Sequence, residues 1–165
     1  RGVYLFRCLF LAVSLLGCVS AKADGEPSPS PPDVAKKTDA EWRASLSAAQ
    51  YAVLREKGTE RAFTSPHLKR SVAGVYTCGG CGLPLFSSAD KFKSGTGWPS
   101  FTQPISATAL SRETDQDLFM TRTEILCSRC GGHLGHVFKD GPPPTGERYC
   151  VNGVALGFEA AEATP

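Results

Sequence analysis

The sequence predicts a single, mainly β domain, and three observations lead there. After Gly58, short β-prone runs alternate with clusters of Gly, Pro and Ser, the texture of strands joined by tight turns. The only internal repeat is a doubled C-x-x-C, Cys78-Gly79-Gly80-Cys81 and Cys127-Ser128-Arg129-Cys130, whose two turns form one four-sulfur clip when brought together. At 165 residues the chain has room for one core that folds without a dense set of disulfides.

Taken in order, the chain opens on an apolar run from Tyr4 to Val19 with Arg1 and Arg7 as its flanking and interior charges, then Ala21-Lys22-Ala23. That is the order of a secretory signal peptide, with cleavage expected after Ala23, and the run is too short for a comfortable membrane span. Two alternatives remain: Leu15-Leu16-Gly17-Cys18 as a lipoprotein box that anchors the chain through Cys18, or an organelle transit peptide. Residues 1–23 are therefore an address, and the chain is expected to be exported. Residues 24–37, with four prolines, read as a linker, residues 38–160 as the domain, and residues 161–165 as a tail.

Thr38 with Glu41 forms a capping box ahead of Trp42 and Leu46, and Ser47 caps a second helix expected over 48–57 and ending at Gly58. Strands are expected around 75–77, 83–86, 107–110, 118–126, 137–138, 148–152 and 155–158. The net charge is +2 with Lys and Arg scattered, which lacks the footprint of a nucleic-acid binder.

Two thiolates separated by two residues bind one ion from a single turn, and a structural Zn²⁺ takes four ligands tetrahedrally. Cys78, Cys81, Cys127 and Cys130 satisfy one such ion completely, and a filled tetrahedron holds the fold without doing chemistry. The competing readings are two disulfides or a redox-active C-x-x-C, although neither pair stands at a helix start after a strand.

With the leader removed and four of the seven cysteines on the metal, Cys150 is left over. In an extended 148–152 segment, Arg148, Cys150 and Asn152 project to one face, with Tyr149 and Val151 on the other. A guanidinium beside the sulfur favours thiolate, and the Asn152 amide would orient groups there. A lone cysteine otherwise packs as an inert small hydrophobe. His133 and His136 follow the second metal turn; His136 is the better candidate acid or base, while a structural role is the default for His67 and in part for His133. The stretch Ser94-Gly95-Thr96-Gly97-Trp98-Pro99-Ser100-Phe101 places Trp98 in a rigid loop, where it suits an apolar group such as a methyl.

Together the G-W-P-S-F run at 97–101, the H-L-G-H-V-F run at 133–138 and the R-Y-C-V-N run at 148–152 resemble the B class of methionine sulfoxide reductases, and the likeness spans about Trp42 to Phe158. The resemblance implies a domain of two antiparallel sheets clipped by one structural zinc ion, with a few short N-terminal and peripheral helices. It makes Cys150 the catalytic cysteine and His133, His136, Arg148 and Asn152 the surrounding catalytic positions. It also makes Trp98 and Phe138 substrate-binding residues, with Trp98 packing on the sulfoxide's methyl group. The implied substrate is methionine R-sulfoxide, free or in proteins, reduced through a Cys150 sulfenic acid, with thioredoxin or a similar thiol as reductant. A monomer is expected.

Many members of that class carry a resolving cysteine where Thr96 stands, so a one-cysteine cycle is expected here, unless a retained Cys18 substitutes. Two other functions compete: a zinc-stabilised interaction module without turnover, and a Cys-His-Asn hydrolase. Arg148, Cys150 and His136 are unexplained by the first, and the placement of Cys150 and Asn152 on one strand is awkward for the second.

Overall fold

The computed structural model describes residues 37–117 and 120–162. The leader, Cys18, the linker up to residue 36 and the tail beyond Glu162 lie outside the described residues.

Capping sets the two helices. The Glu41 carboxylate accepts the Thr38 N–H at 2.6 Å while the Thr38 hydroxyl accepts the Glu41 N–H, opening α1 (Asp39–Ser45) with the expected capping box. Ser47 and Gln50 repeat the device for α2 (Ala48–Leu54). This second helix stops short of the expected Lys57. The Gly58 N–H bonds back to the Ala52 carbonyl at 2.9 Å, and Lys57, rather than the glycine, takes the left-handed φ of 57°.

Nine strands follow among the described residues: β1 (Gly74–Cys78), β2 (Pro84–Ser87), β3 (Lys91–Phe92), β4 (Ser100–Phe101), β5 (Leu110–Asp117), β6 (Met120–Cys127), β7 (His133–Phe138), β8 (Arg148–Val151) and β9 (Leu156–Ala160). They make two antiparallel sheets, β2-β1-β9 and β3-β4-β8-β7-β6-β5. The chain is therefore mainly β, as composition and spacing predict. The strand expected at 107–110 is an irregular turn whose last residue, Leu110, begins β5. β5 itself reads Ser-Arg-Glu-Thr-Asp-Gln after Leu110, so no apolar alternation marks it; it is held by an unbroken eight-residue pairing with β6.

Alternation across the six-stranded sheet decides which face is core. Ile125, Tyr149, Val151 and Phe101 turn inward and are almost fully buried, and Phe101 stacks on Phe86 of the smaller sheet at 4.3 Å between ring centroids. The two sheets also meet at their cysteines, since Cys78 ends β1 and Cys127 ends β6, with Cys81 and Cys130 in the turns just beyond. α2 packs over this junction, where the Arg55 guanidinium donates to the Cys130 carbonyl at 3.0 Å. No helix among the described residues is long and apolar enough to cross a membrane.

Candidate active site

The opposite face of the six-stranded sheet carries the polar chemistry in two rows. Register pairs Glu113 with Glu124, Glu124 with His136, His136 with Cys150, and Cys150 with Ser100, so these side chains share one face in a line across five strands. Two residues along, Asp115 faces Arg122 and Phe138 faces Arg148. His133 joins this face only because the β6–β7 pairing slips: Ile125 faces Gly135 while Leu126 faces His133, leaving Leu134 as an extra residue. Three residues apart on a regular strand, the two histidines would point to opposite sides; the bulge brings their rings to 5.5 Å. Gly135 permits the tight β7–β8 approach, because a Cβ there would lie 2.1 Å from the Cys150 carbonyl oxygen.

Over this face lies a cavity of ≈140 Å³ that gathers Cys150, His136, Trp98, Phe138 and Asn152, with Thr59 and Arg122. Arg148 stands at its edge, its guanidinium 4.5 Å from the Phe138 ring centroid and clamped by both Asp140 oxygens at 2.9 Å. His133 is behind the wall: it is buried, and its Nδ1 meets the Glu124 carboxylate at 2.6 Å. A larger cavity of ≈550 Å³ shares Thr59 with the first but contains neither Cys150 nor His136, so size does not locate the chemistry. His67 is buried with Nε2 at 3.2 Å from the Leu156 carbonyl, the structural role expected for it.

Electrostatics correct one expectation at Cys150. Burial pushes its thiol above the usual range, and this outweighs the downward pull of the Thr96 hydroxyl, 3.9 Å from Sγ, and of the Arg148 guanidinium. The guanidinium acts in the expected direction without winning. His136 places Nε2 2.8 Å from Asp115, and that hydrogen bond, with the one from Arg122, holds the Asp115 carboxyl below its ordinary range. For Glu124 burial acts upward, but hydrogen bonds from Lys57 at 2.8 Å and from His133 prevail and lower it; burial lowers His133 despite Glu124, keeping the ring neutral at neutral pH.

Asn152 lines the cavity, yet its amide is used elsewhere. Oδ1 accepts the Glu60 N–H at 3.0 Å and Nδ2 donates to the Leu134 carbonyl at 3.1 Å. It begins the turn after β8 rather than continuing the strand, so it fastens the Glu60 segment over the sheet and orients no imidazole, unlike a hydrolase triad member. Glu60 completes that fastening: its carboxylate accepts the Gly153 and Val154 N–H groups, and its carbonyl accepts the Trp98 indole N–H at 3.1 Å.

Away from this cavity, the sulfurs of Cys78, Cys81, Cys127 and Cys130 all lie within 4.8 Å of one another. Separations of 3.5 Å (Cys81 to Cys127) and 3.7 Å (Cys78 to Cys130) leave all four thiols free and unbridged, against the disulfide reading. They also match the edge of about 3.8 Å that a tetrahedron with metal–sulfur bonds of about 2.3 Å requires. Hydrogen bonds with Cys127 push Cys78 and Cys130 above the usual thiol range and hold Cys81 below it, and the bond with Cys130 holds Cys127 below it. The donor set and geometry fit a structural metal site.

Sequence reasoning missed Asp115, Glu124, Glu60 and Asp140. Only Glu124 carries a local signal, a carboxylate set against the apolar Ile125-Leu126 run, where burial demands a partner. The others matter through pairings that only the folded chain creates.

Comparison with known proteins agrees with this arrangement. The SelR domain family matches residues 46–160. The protein named peptide methionine sulfoxide reductase MsrB in Thiobacillus denitrificans is 60% identical over 122 residues, covering 74% of this chain and 92% of that protein. Proteins of the same name in Hahella chejuensis and Methanosarcina mazei are 54% and 53% identical, covering 79% and 78% of this chain and 94% and 92% of their own lengths. A single sulfur in an aromatic-walled cavity, a separate four-sulfur cluster, and likeness at this level over the whole domain together show that the chain belongs to the SelR-domain family of MsrB peptide methionine sulfoxide reductases.

Proposed function

We propose that the chain reduces the R epimer of methionine sulfoxide to methionine through a sulfenic acid on Cys150. The observation that carries this reading is the placement of the Cys150 sulfur in a small cavity walled by Trp98 and Phe138, directly across the sheet from His136. The aromatic walls suit the substrate's methyl and methylene groups, leaving the sulfoxide sulfur to face the thiolate. The Cys150 thiolate attacks that sulfur and forms an S–S bond, and one proton is added to the sulfoxide oxygen. The oxygen passes to the Cys150 sulfur as the S–S bond and the substrate's sulfur–oxygen bond break, and methionine leaves with Cys150 as its sulfenic acid.

His136 supplies the proton that the developing oxygen charge needs. In the free protein Asp115 fixes a proton on Nε2, so the sulfoxide oxygen takes the place of the carboxylate as that proton's acceptor. Glu124 positions the neutral His133 ring against His136. Arg148, held by Asp140, opposes the effect of burial on the thiol and backs Phe138. Asn152 and Glu60 position Trp98 and the cavity rim.

Regeneration requires a thiol from outside the domain. The other described cysteines belong to the four-sulfur cluster, and Thr96 occupies the position beside Cys150, so thioredoxin or a similar thiol reduces the sulfenic acid directly. Cys78, Cys81, Cys127 and Cys130 would hold one Zn²⁺, which supplies cohesion between the sheets and no catalytic step. Export by the N-terminal leader and action as a monomer belong to the same proposal.

The test is to incubate the purified protein with racemic methionine sulfoxide and a dithiol and to resolve the remaining epimers chromatographically, with Cys150→Ser alongside. Loss of the R epimer alone, absent in the variant, is expected. Consumption of neither epimer by a folded, metal-loaded protein would leave the interaction module as the better account.

A further inference from the structure

We propose that the groove lined by Phe63, Leu68, Phe92 and the lysines Lys69, Lys91 and Lys93 binds the polypeptide flanking an oxidised methionine, selecting an extended stretch that carries acidic side chains. The proposal rests on the reductase reading of the Cys150 cavity.

A methionine side chain is short, so a protein-bound sulfoxide that reaches Cys150 leaves its backbone at the cavity mouth. Flanking residues advance about 3.3 Å each and must lie on the surface beside that mouth. The 94–99 segment is the wall between the two: it presents Trp98 to the cavity and the Thr96 hydroxyl to the Cys150 sulfur, while Ser94, Gly95, Gly97 and Pro99 line a groove of ≈450 Å³. Groove and cavity therefore flank one six-residue segment.

Phe63 is the anchor of that segment. Its φ of 67° lies in the left-handed region, costly for a bulky side chain, yet the residue is 69% exposed. Its N–H is held by the Gly97 carbonyl at 2.8 Å, and Gly97, at φ 94°, has no room for a side chain: a Cβ would sit 3.0 Å from the Phe63 ring and 2.8 Å from Ala62 Cβ. A strained backbone that displays an aromatic ring to solvent contributes little to the core; it equips a surface for contact.

Charge identifies the occupant. Among the described residues none of Lys69, Lys91 and Lys93 is in an ion pair. Lys91 is tied only to the carbonyls of Leu68 and Arg70. The acids of neighbouring segments are committed elsewhere, Asp90 to the Gln103 amide and Glu60 to the Gly153 and Val154 N–H groups. An apolar groove with an uncompensated positive edge is complementary to an acidic, partly apolar peptide.

The experiment compares kcat/KM of the full chain, with a small dithiol as reductant, for methionine-R-sulfoxide peptides flanked by Asp or by Lys, and for N-acetyl methionine sulfoxide, which has no flanks. The Asp-flanked peptide is expected to be preferred about tenfold at low salt, with the preference shrinking as salt rises. Lys69→Glu combined with Lys93→Glu is expected to invert the order, and Phe63→Ser to weaken both peptides, with N-acetyl methionine sulfoxide unchanged throughout. Equal rates for the two peptides, or an order that survives the charge reversal, would overturn the proposal. So would variants that slow only turnover driven by thioredoxin, which would assign the groove to the reductant. Failure to reduce N-acetyl methionine sulfoxide at all would instead overturn the reductase reading beneath it.

Discussion

Cys127 ends β6 and Cys150 lies within β8, two strands of the same sheet with only β7 between them, yet the two sulfurs have different company. Cys127 points to three other sulfurs, all within 4.8 Å, at the junction of the two sheets. Cys150 has a threonine hydroxyl, a guanidinium and two aromatic rings around it, and an imidazole on the facing strand. Strand ends and their turns can converge on one point from both sheets, which suits a clip. Mid-strand positions face a flat neighbour and a cavity, which suits a sulfur that must meet something from outside.

That division is broken or sharpened by substitution at each end. Cys150→Ser is expected to remove turnover entirely while metal content and thermal unfolding stay as in the parent; a variant that unfolds would show that Cys150 is part of the structural core. Cys127→Ser is expected to do the reverse in kind. Losing one ligand of a closed tetrahedral site forfeits most of a binding energy that rivals the whole ~5–15 kcal/mol margin of a domain. Circular dichroism should report an unfolded or molten chain, and stripping the parent with a strong chelator should reproduce it.

Glu124→Gln probes the support behind the cavity. It leaves Lys57 and the buried His133 without their charged partner, and about 1–3 kcal/mol of stability should be lost in denaturant titrations. The pH dependence has a definite sign. Glu124 and His133 both titrate below their ordinary values of 4.5 and 6.5, so the native state binds fewer protons than the unfolded chain. Their stabilisation is complete above about pH 6.5 and is lost as pH falls through the folded values. The variant should show a flatter acid limb than the parent.

Smaller still is the effect expected for Arg148→Met. Burial raises the Cys150 thiol and Arg148 opposes it, so the rate of Cys150 alkylation should rise with pH in the parent, and at higher pH in the variant. A shift to lower pH would show that Arg148 does not favour the thiolate. Thr96→Cys removes the hydroxyl that draws the Cys150 thiol down, so the first reduction should slow modestly at neutral pH, while the new sulfur stands where Oγ1 lies 3.9 Å from Cys150 Sγ. It should add a disulfide to Cys150 after one turnover, visible as a loss of two mass units.

The cysteine cluster was legible because its spacing is local: two residues between thiols define a turn whatever the rest of the chain does. Cys150 emerged by elimination, and Trp98 from the Gly and Pro that stiffen its loop. What could not be read is whatever depends on register. The line from Glu124 through His136 to Cys150 exists because β6, β7 and β8 pair in one phase, and His133 joins it only through an extra residue at Leu134. Nothing near Arg148 in sequence foretells that burial outweighs it at the thiol, because that balance is set by segments from Thr59 to Trp98 folding over the sheet. β5 was hidden for a related reason, since its polar residues pair through backbone groups with a strand that alone carries the apolar pattern.

The most direct test of Cys150 as the reacting sulfur is a single turnover without reductant. One equivalent of methionine R-sulfoxide is mixed with the metal-loaded protein, methionine is quantified, and the cysteines are mapped by mass spectrometry after trapping sulfenic acid with a 1,3-dione. One methionine per chain and one adduct, on Cys150, are expected, with the four clustered cysteines unmodified. Methionine formed with the adduct on Cys78, Cys81, Cys127 or Cys130, or with no oxidised cysteine at all, would contradict that assignment.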